Sequence, residues 1–422
     1  MSTLSSLVAL RWCHSILKII YITKKISLFK EYLNNFQFIK AGQAFDITII
    51  DDVFPFHISP WRNQEYLEIA EKFKTLVYSD GIEYNKLLPA NTTYEEALKK
   101  FQSTFPNSKI HPKKLKLFSP INTQLVYVLF YGYLNRYKKH IFKHQLNLSF
   151  NLYPGGGFDT QSDLVKKNLK EITEYKGFKD VIVTQNYSRD YLLNEIGVPK
   201  EQVHLVKSIM MLPDYYSFNP FDKKSWFGID KDTFDIAFVA NKYSPLGEDK
   251  GFDVFLKLSQ KLKAKYKFVN FHIVGGFTEK DIPENFDKQD FTCYGFRDFQ
   301  FFIDFYKRID VFVSPNKPFT LGGNFDGFPL GTSYEAGICG AVVMMTDYLN
   351  ENEVYEDQID YFNINDGVEQ IIASCDYLIL NPEKMHQMVE NFRTKTFNFS
   401  NNNEALNRKI DVLAKSIRAS KL

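Results

Sequence analysis

Apolar residues along this chain fall in two blocks of short continuous runs, each run followed by a stretch with helical spacing. In the first block FDITII (45–50), LNLSFNLY (146–153) and DVIVTQ (180–185) are such runs, with helical spacing at 63–74 and 187–196. The segment LKLFSPINTQLVYVLFYGYLNRYKKHIFKH reads as containing a long apolar helix that ends in a basic cluster of Arg136, Lys138, Lys139, His140, Lys143 and His144. In the second block the strand-like runs are DIAFVA (235–240), FVNFHIVGG (268–276), FTCYGF (291–296), DVFVSP (310–315) and AVVMMTD (341–347). Helices are expected over GFDVFLKLSQKLKAKY, 298–307, 332–340, 366–392 and 402–419. Runs that are apolar throughout, rather than alternating, are those of strands covered on both faces, as in a parallel sheet. The segment PDYYSFNPFDKK (213–224), with two prolines and no periodicity, reads as a linker. Two blocks of strand–helix alternation predict an α/β protein of two doubly wound domains, 1–220 and 228–390, with 391–422 as a C-terminal helical segment.

Composition agrees. A chain of 422 residues, 44% hydrophobic and 24% charged, has room for two substantial cores and excludes disordered, collagenous and disulfide-scaffold classes. Cys13, Cys293, Cys339 and Cys375 are scattered with no CxxC pair, so a reducing compartment is the default and no structural zinc is expected. The net charge of +2 hides an asymmetry: residues 1–220 hold 28 Lys and Arg against 20 Asp and Glu, and residues 101–150 hold eight basic residues and no acid. That pattern suits nucleic acid, a membrane surface or a phosphorylated acceptor, and equally a solvated lysine-rich face. Residues 1–40 form a basic stretch read as a helical extension that suits an anionic membrane surface. No run of 18 apolar residues is present. The terminal Ser420-Lys421-Leu422 resembles a peroxisomal address but is read as chance. Signatures of serine hydrolases, zinc peptidases and P-loop enzymes are absent, and the eight histidines lack ligand spacing.

Doubly wound domains bind ligands at the carboxyl ends of their strands, and two facing domains enclose a cleft. The second block supplies the residues for such a site, in the order FVANKYSPLGEDKGFDVFLKL, FHIVGG, FTCYGF, DVFVSPN and DGFPLGTSYEAGICGAVVMMTD. Over roughly residues 234–350 this order resembles the donor-binding domain of the retaining family-4 glycosyltransferases, which have the GT-B fold of two Rossmann-like domains. The first block is similar to the partner domain in layout, and its LYPGGGFD and VIVTQ segments resemble bacterial surface-polysaccharide glycosyltransferases. The resemblance implies a metal-independent retaining hexosyltransferase. A nucleotide-sugar would be the co-substrate, with no further cofactor. The acceptor would be a glycan or a lipid-linked sugar in polysaccharide or glycoconjugate biosynthesis. The implied place is the cytoplasm, or the inner face of the membrane with peripheral contact. The basic face would also permit nucleic-acid binding, but no aromatic-basic module supports it, and no nucleic-acid partner is expected. The last helix would cross back to the first domain. A decayed scaffold that binds a nucleotide-sugar or glycan without turnover is the alternative.

The chemistry can be assigned to residues. A pyrophosphate needs cations and backbone N–H groups. Lys250, before Gly251 at a helix start, places a cation beside the positive end of a helix dipole. Lys242 follows a strand with Asn241, where the family has an arginine turn, so either lysine is a candidate for the phosphates. Glu335 in YEAGICG resembles the second glutamate of the family's E-x7-E motif, which holds the ribose hydroxyls. The first acid is displaced by one residue: Gly327 stands at its position, and Asp326 is read as taking its place near the transferred sugar. The stretch through Gly327 and Phe328 permits close backbone approach to a sugar phosphate. Gly156 and Gly157, after a strand of the first block, are candidates for amide contacts across the cleft, and Gly275 ends a strand on the donor side. His57 and Arg62 are lesser candidates for a proton relay and an anion contact, Arg297 has no distinguishing chemistry, and Asp51-Asp52 are read as structural rather than as metal ligands.

Overall fold

The computed structural model describes residues 37–39, 41–56, 60–79, 93–116, 118–207, 225–297, 299–365, 367–400 and 404–420. His57, the 213–224 segment, residues 1–36 and the terminal Lys421-Leu422 lie outside the described residues.

The first block folds as a seven-stranded parallel sheet. In chain order its strands are β2 (Phe45–Asp51), β3 (Thr75–Ser79), β4 (His111–Lys114), β6 (Thr123–Leu129), β7 (Leu148–Leu152), β8 (Phe178–Val183) and β9 (Val203–Leu205). Their spatial order is β4-β3-β2-β6-β7-β8-β9. A separate parallel pair joins β1 (Gln37–Ile39) to β5 (Phe118–Pro120). The second block gives a six-stranded parallel sheet from β10 (Phe234–Ala240), β11 (Val269–Gly275), β12 (Phe291–Cys293), β13 (Val311–Ser314), β14 (Val342–Met345) and β15 (Phe362–Asn363), ordered β12-β11-β10-β13-β14-β15. Each block is thus a doubly wound α/β unit, as expected.

Both sheets are apolar on both faces, which is why the strand runs show no alternation. Successive side chains of a strand point to opposite sides. On β6, Val126 and Val128 enter one cluster with Leu134 and Leu169, while Leu125, Tyr127 and Leu129 enter another with Ile69 and Leu413. On β13, Val311 and Val313 pack on Leu258, and Phe312 packs on Tyr306 and Tyr334. The last helix, Glu404–Ala419, contributes Leu406, Ile410, Leu413 and Ile417 to the first sheet's cluster, after the Pro382–Ser400 helix has placed Met385, Met388 and Val389 in the second's.

Three expectations are corrected. The long apolar helix expected within 115–144 is two elements: its apolar half is β6, and the helix Tyr131–Lys143 begins only after Phe130, whose φ of 67° breaks the chain direction. The run LVYVL, rich in β-branched and aromatic residues, pairs between β2 and β7, and tertiary burial overrides a helical reading. The single helix expected over 366–392 is split at Asn381, because Pro382 has no N–H to continue the ladder and instead starts the next helix. Residues 37–39 of the expected helical extension form a strand.

The order of each sheet reverses once, between β2 and β6 in the first and between β10 and β13 in the second. Crevices at such reversals, outside the carboxyl ends of the strands, are where this architecture holds ligands.

Candidate active site

On the second sheet, the chain leaves β10 through Asn241 and Lys242 and leaves β13 through Pro315 and Asn316. The helix Phe252–Lys265 starts above this crevice. Its close seating depends on Gly251, which has φ of 71° and whose hypothetical Cβ would lie 2.2 Å from the Pro315 carbonyl oxygen. Any larger residue would lift the helix start away from β13. Lys250 is thereby fixed at the helix N-terminus, its ammonium 5.3 Å from the Tyr243 ring centroid. It donates to both carboxylate oxygens of Asp326, at 2.8 and 2.7 Å. Asn316 Nδ2 donates to Asp326 Oδ2 at 2.6 Å. One carboxylate thus receives a cation and an amide, all within the crevice between β10 and β13.

Lys242 has a different partner. It is paired with Asp281, whose carboxyl is opposed by burial but held below its ordinary value by hydrogen bonds from Lys242 and Thr278. Asn241 Nδ2 donates to the Tyr243 hydroxyl at 3.2 Å. Gly275 has φ of 113°, its N–H donates to the Gly295 carbonyl, and a Cβ there would strike the Ala240 carbonyl at 2.2 Å. It sets the close approach of β10 and β11 from which the Asn241-Lys242 turn departs.

Glu335 lies in the helix Gly331–Ile338, which precedes β14. It is half-buried, and burial pushes its carboxyl up to about 8. Among the described residues its carboxylate has no hydrogen-bond partner. A desolvated acceptor with open valences is what a vicinal diol requires.

The first domain faces this site across a cleft with about 830 Å³ of empty space. Trp61, Phe130, Tyr153 and Gln185 line one wall, and Asp326, Gly327, Phe328 and Tyr334 the other. Gln185 hydrogen-bonds both backbone groups of Phe328, accepting from its N–H at 3.3 Å and donating to its carbonyl at 3.4 Å. Gly327 has no room to spare: a Cβ would lie 3.3 Å from Gln185 Nε2. Gly156 and Gly157 are exposed, with φ of 57° and 84°, and the Gly156 carbonyl accepts from the Gly132 N–H at 2.9 Å. The glycine turn is therefore folded against the start of the Tyr131–Lys143 helix. Arg62 is engaged internally: its guanidinium donates to Asp51 and Asp52 at 3.2 and 3.0 Å and stacks 4.8 Å from the Phe130 centroid. The two acids are taken up by that arginine and by the hydroxyls of Tyr66 and Tyr133.

The structure thus brings Lys250, Asp326, Gly327 and Phe328 together and gives Lys242 to a separate pair. Asn316 was not singled out in the sequence, although its place at the end of the strand beside the reversal marks it. The aromatic wall of Trp61, Phe130 and Tyr153 had no sequence signal, because its members are 92 residues apart in the chain and meet only in the fold.

Residues 233–381 match the family model described as glycosyl transferases group 1. The second domain is a glycosyltransferase domain of group 1. No curated protein matches the chain. Among solved structures, a glycosyltransferase from Rickettsia africae aligns with a TM-score of 0.59 at 14% identity, covering 89% of this chain and 99% of its own. HepE of Anabaena, solved with UDP and glucose, aligns at 0.60 and 14% identity, covering 88% and 99%. WaaG, a glycosyltransferase involved in lipopolysaccharide biosynthesis, aligns at 0.58 and 12%, covering 87% and 99%. These likenesses establish the GT-B fold for both domains.

Proposed function

We propose that this glycosyltransferase moves a hexosyl residue from a nucleotide-sugar to a glycan or lipid-linked acceptor, with retention of configuration and without a metal. The observation that carries the reading is Lys250: a cation at the N-terminus of a 14-residue helix, in the crevice at the sheet reversal, paired with a carboxylate that borders the inter-domain cleft. A donor pyrophosphate would replace Asp326 as the partner of Lys250. The lysine and the helix N-terminus then meet the charge that develops on the departing diphosphate. Glu335 takes the ribose hydroxyls. Asp326 and the Gly327-Phe328 backbone lie beside the sugar, and Gly156 and Gly157 face it from the other domain. The acceptor enters against Trp61, Phe130 and Tyr153, and its hydroxyl attacks on the face the diphosphate leaves. HepE was solved with UDP and glucose, and WaaG is involved in lipopolysaccharide biosynthesis, which supports a nucleotide-sugar donor and a surface-glycan acceptor.

A thermal-shift panel with UDP, GDP, ADP and CMP, with and without magnesium, tests the donor site. One diphosphate is expected to stabilise the protein equally in both conditions, by about 2.7 kcal/mol at about 100 times its Kd. A stabilisation that requires magnesium would remove the metal-independent scheme. Lys250→Ala is expected to lower turnover by about 2–4 kcal/mol of transition-state stabilisation while the fold survives. Diphosphate binding with no turnover of any sugar donor in the wild type would instead favour a decayed binding scaffold.

The basic face is smaller than the sequence suggests. Lys138 is buried against Glu171 and Asn168, and the rings of His140 and His144 lie edge-on to Phe38. Arg136, Lys139 and Lys143 remain exposed on one side of their helix. Peripheral contact with an anionic bilayer predicts co-sedimentation with phosphatidylglycerol vesicles at low salt that is lost at high salt. No helix among the described residues is long and apolar enough to cross a membrane.

A further inference from the structure

The loop that carries Asp326 belongs to the donor domain by sequence but is packed into the acceptor domain. The Gly323 N–H donates to Asp159 Oδ1 at 2.7 Å, and the Gly323 carbonyl accepts from the Thr160 hydroxyl at 3.0 Å and the Thr160 N–H at 3.2 Å. The approach is so close that a Cβ on Gly323 would lie 2.2 Å from the Gln161 nitrogen. Two residues on, Phe325 is 4% exposed and lies within the acceptor domain's apolar cluster. Its ring is edge-on to Phe158 at 5.7 Å and to Tyr187 at 4.9 Å. The next residue is Asp326, which holds Lys250 through both oxygens.

We infer that Phe325 is a positioning residue: seated in the acceptor domain, it sets where Asp326 stands in the donor site and so couples the arrangement of the two domains to that site. This rests on the reading of Lys250 and Asp326 given above. Adjacent Cα atoms are held about 3.8 Å apart, so a ring clamped in one domain leaves its neighbour's carboxylate little freedom. An opening of the cleft in which Phe325 stays seated in the acceptor domain must draw Asp326 away from Lys250, which moves with the donor domain. The lysine is then exposed to an incoming pyrophosphate, and closure returns the carboxylate to the sugar side. The glycines at 322 and 323 allow the loop backbone to lie directly on Asp159, and the aromatic nest supplies the apolar burial that holds it there.

The test compares wild type, Phe325→Ala, Phe325→Leu and Asp159→Ala. The last removes the acceptor of the Gly323 N–H without opening a core. The measurements are calorimetric binding of the diphosphate that stabilises the wild type, release of that diphosphate from its sugar nucleotide, and small-angle X-ray scattering of the free protein. Phe325→Ala and Asp159→Ala are expected to keep the diphosphate Kd within about threefold while turnover falls at least about tenfold. Their scattering is expected to show a larger radius of gyration, and Phe325→Leu to recover most of both. Binding and turnover falling together, or wild-type turnover and scattering in both variants, would overturn the coupling. Should Phe325→Ala fail to fold, Asp159→Ala carries the comparison alone. Wild-type turnover in Lys250→Ala would sink the reading of the site itself, whereas wild-type scattering in Asp159→Ala sinks only the inference.

Discussion

At the scale of single residues, the proposed donor site is built from charges whose partners decide their availability. Lys250 and Lys242 look alike in sequence, each following a strand or loop at the edge of the same crevice. Their partners separate them: Asp281 is itself fixed by the Thr278 turn, whereas Asp326 sits in a glycine-rich loop that faces the cleft. Glu335 gives a pH-dependent signature. Its carboxyl rises from the ordinary 4.5 to about 8, so between those values the folded state binds a proton that the unfolded state has released. Stability therefore falls as pH rises through that window and levels off above it. Glu335→Gln is expected to remove this slope, which thermal unfolding across the window checks. On the proposed role of Glu335, a ribose diol favours the ionised form, so affinity for the diphosphate should rise over the same window in the wild type and flatten in Glu335→Gln. Proton release measured by calorimetry in buffers of different ionisation enthalpy reads the same linkage.

At the scale of elements, the sheet reversal and one glycine place the chemistry. The Phe252–Lys265 helix presents its first turn to the crevice because Gly251 tolerates both a left-handed backbone and direct contact with the Pro315 carbonyl. Gly251→Ala is expected to cost at least about 1–3 kcal/mol through backbone strain, with more from the clash. Chemical denaturation measures that loss. If the helix start is what the diphosphate sees, the same variant should also weaken diphosphate binding, which calorimetry checks. The elements themselves were largely legible: β2, β7, β8, β10, β11, β13 and β14 coincide with the apolar runs to within a few residues. Apart from β6, whose apolar run reads as helix, those that were not foreseen are amphipathic or short. His111–Lys114 has only polar and proline residues, and its strand conformation comes from pairing with β3 rather than from any preference of its own. The helix Tyr94–Thr104 is announced only by its cap, where Thr93 and Glu96 exchange hydrogen bonds.

At the scale of the whole molecule, the chain closes on itself through its last helix and through the cleft loops. Lys409 of that helix is fully buried and donates to Glu65 at 3.1 Å and to the Tyr153 hydroxyl at 2.9 Å. Burial lowers the lysine's pKa and Glu65 opposes that shift. Removing one member strands the other, so Lys409→Met is expected to destabilise by about 3–5 kcal/mol, with the Glu65→Leu/Lys409→Met double variant recovering much of it. Since Tyr153 also lines the cleft, the single variant should disturb the acceptor wall, which urea unfolding together with donor turnover would reveal. On the other side, the buried carboxylate of Glu351 accepts from the N–H groups of Asn186 and Tyr187 at 2.9 and 2.7 Å and receives Lys207 at 3.4 Å. The two domains are therefore held by local polar contacts and by the rings of Phe319 and Phe325, both packed against Tyr187.

The sequence by itself determined the class of fold, the division into two alternating blocks and most of the strands. Those follow from which residues must leave water and at what period, and that is local information. It also marked Lys250, Asp326 and Glu335, because a helix start, a glycine-rich turn and an acid before a buried strand are local patterns too. Only the tertiary structure decided which cation meets Asp326, that Arg62 is taken up by Asp51 and Asp52, and that Lys138 is buried rather than part of a basic surface. It alone seated Phe325 in the opposite domain. Pairings of this kind join residues tens to hundreds of positions apart, and they are set by strand order and by the angle at which two sheets face each other, for which a linear pattern carries no record.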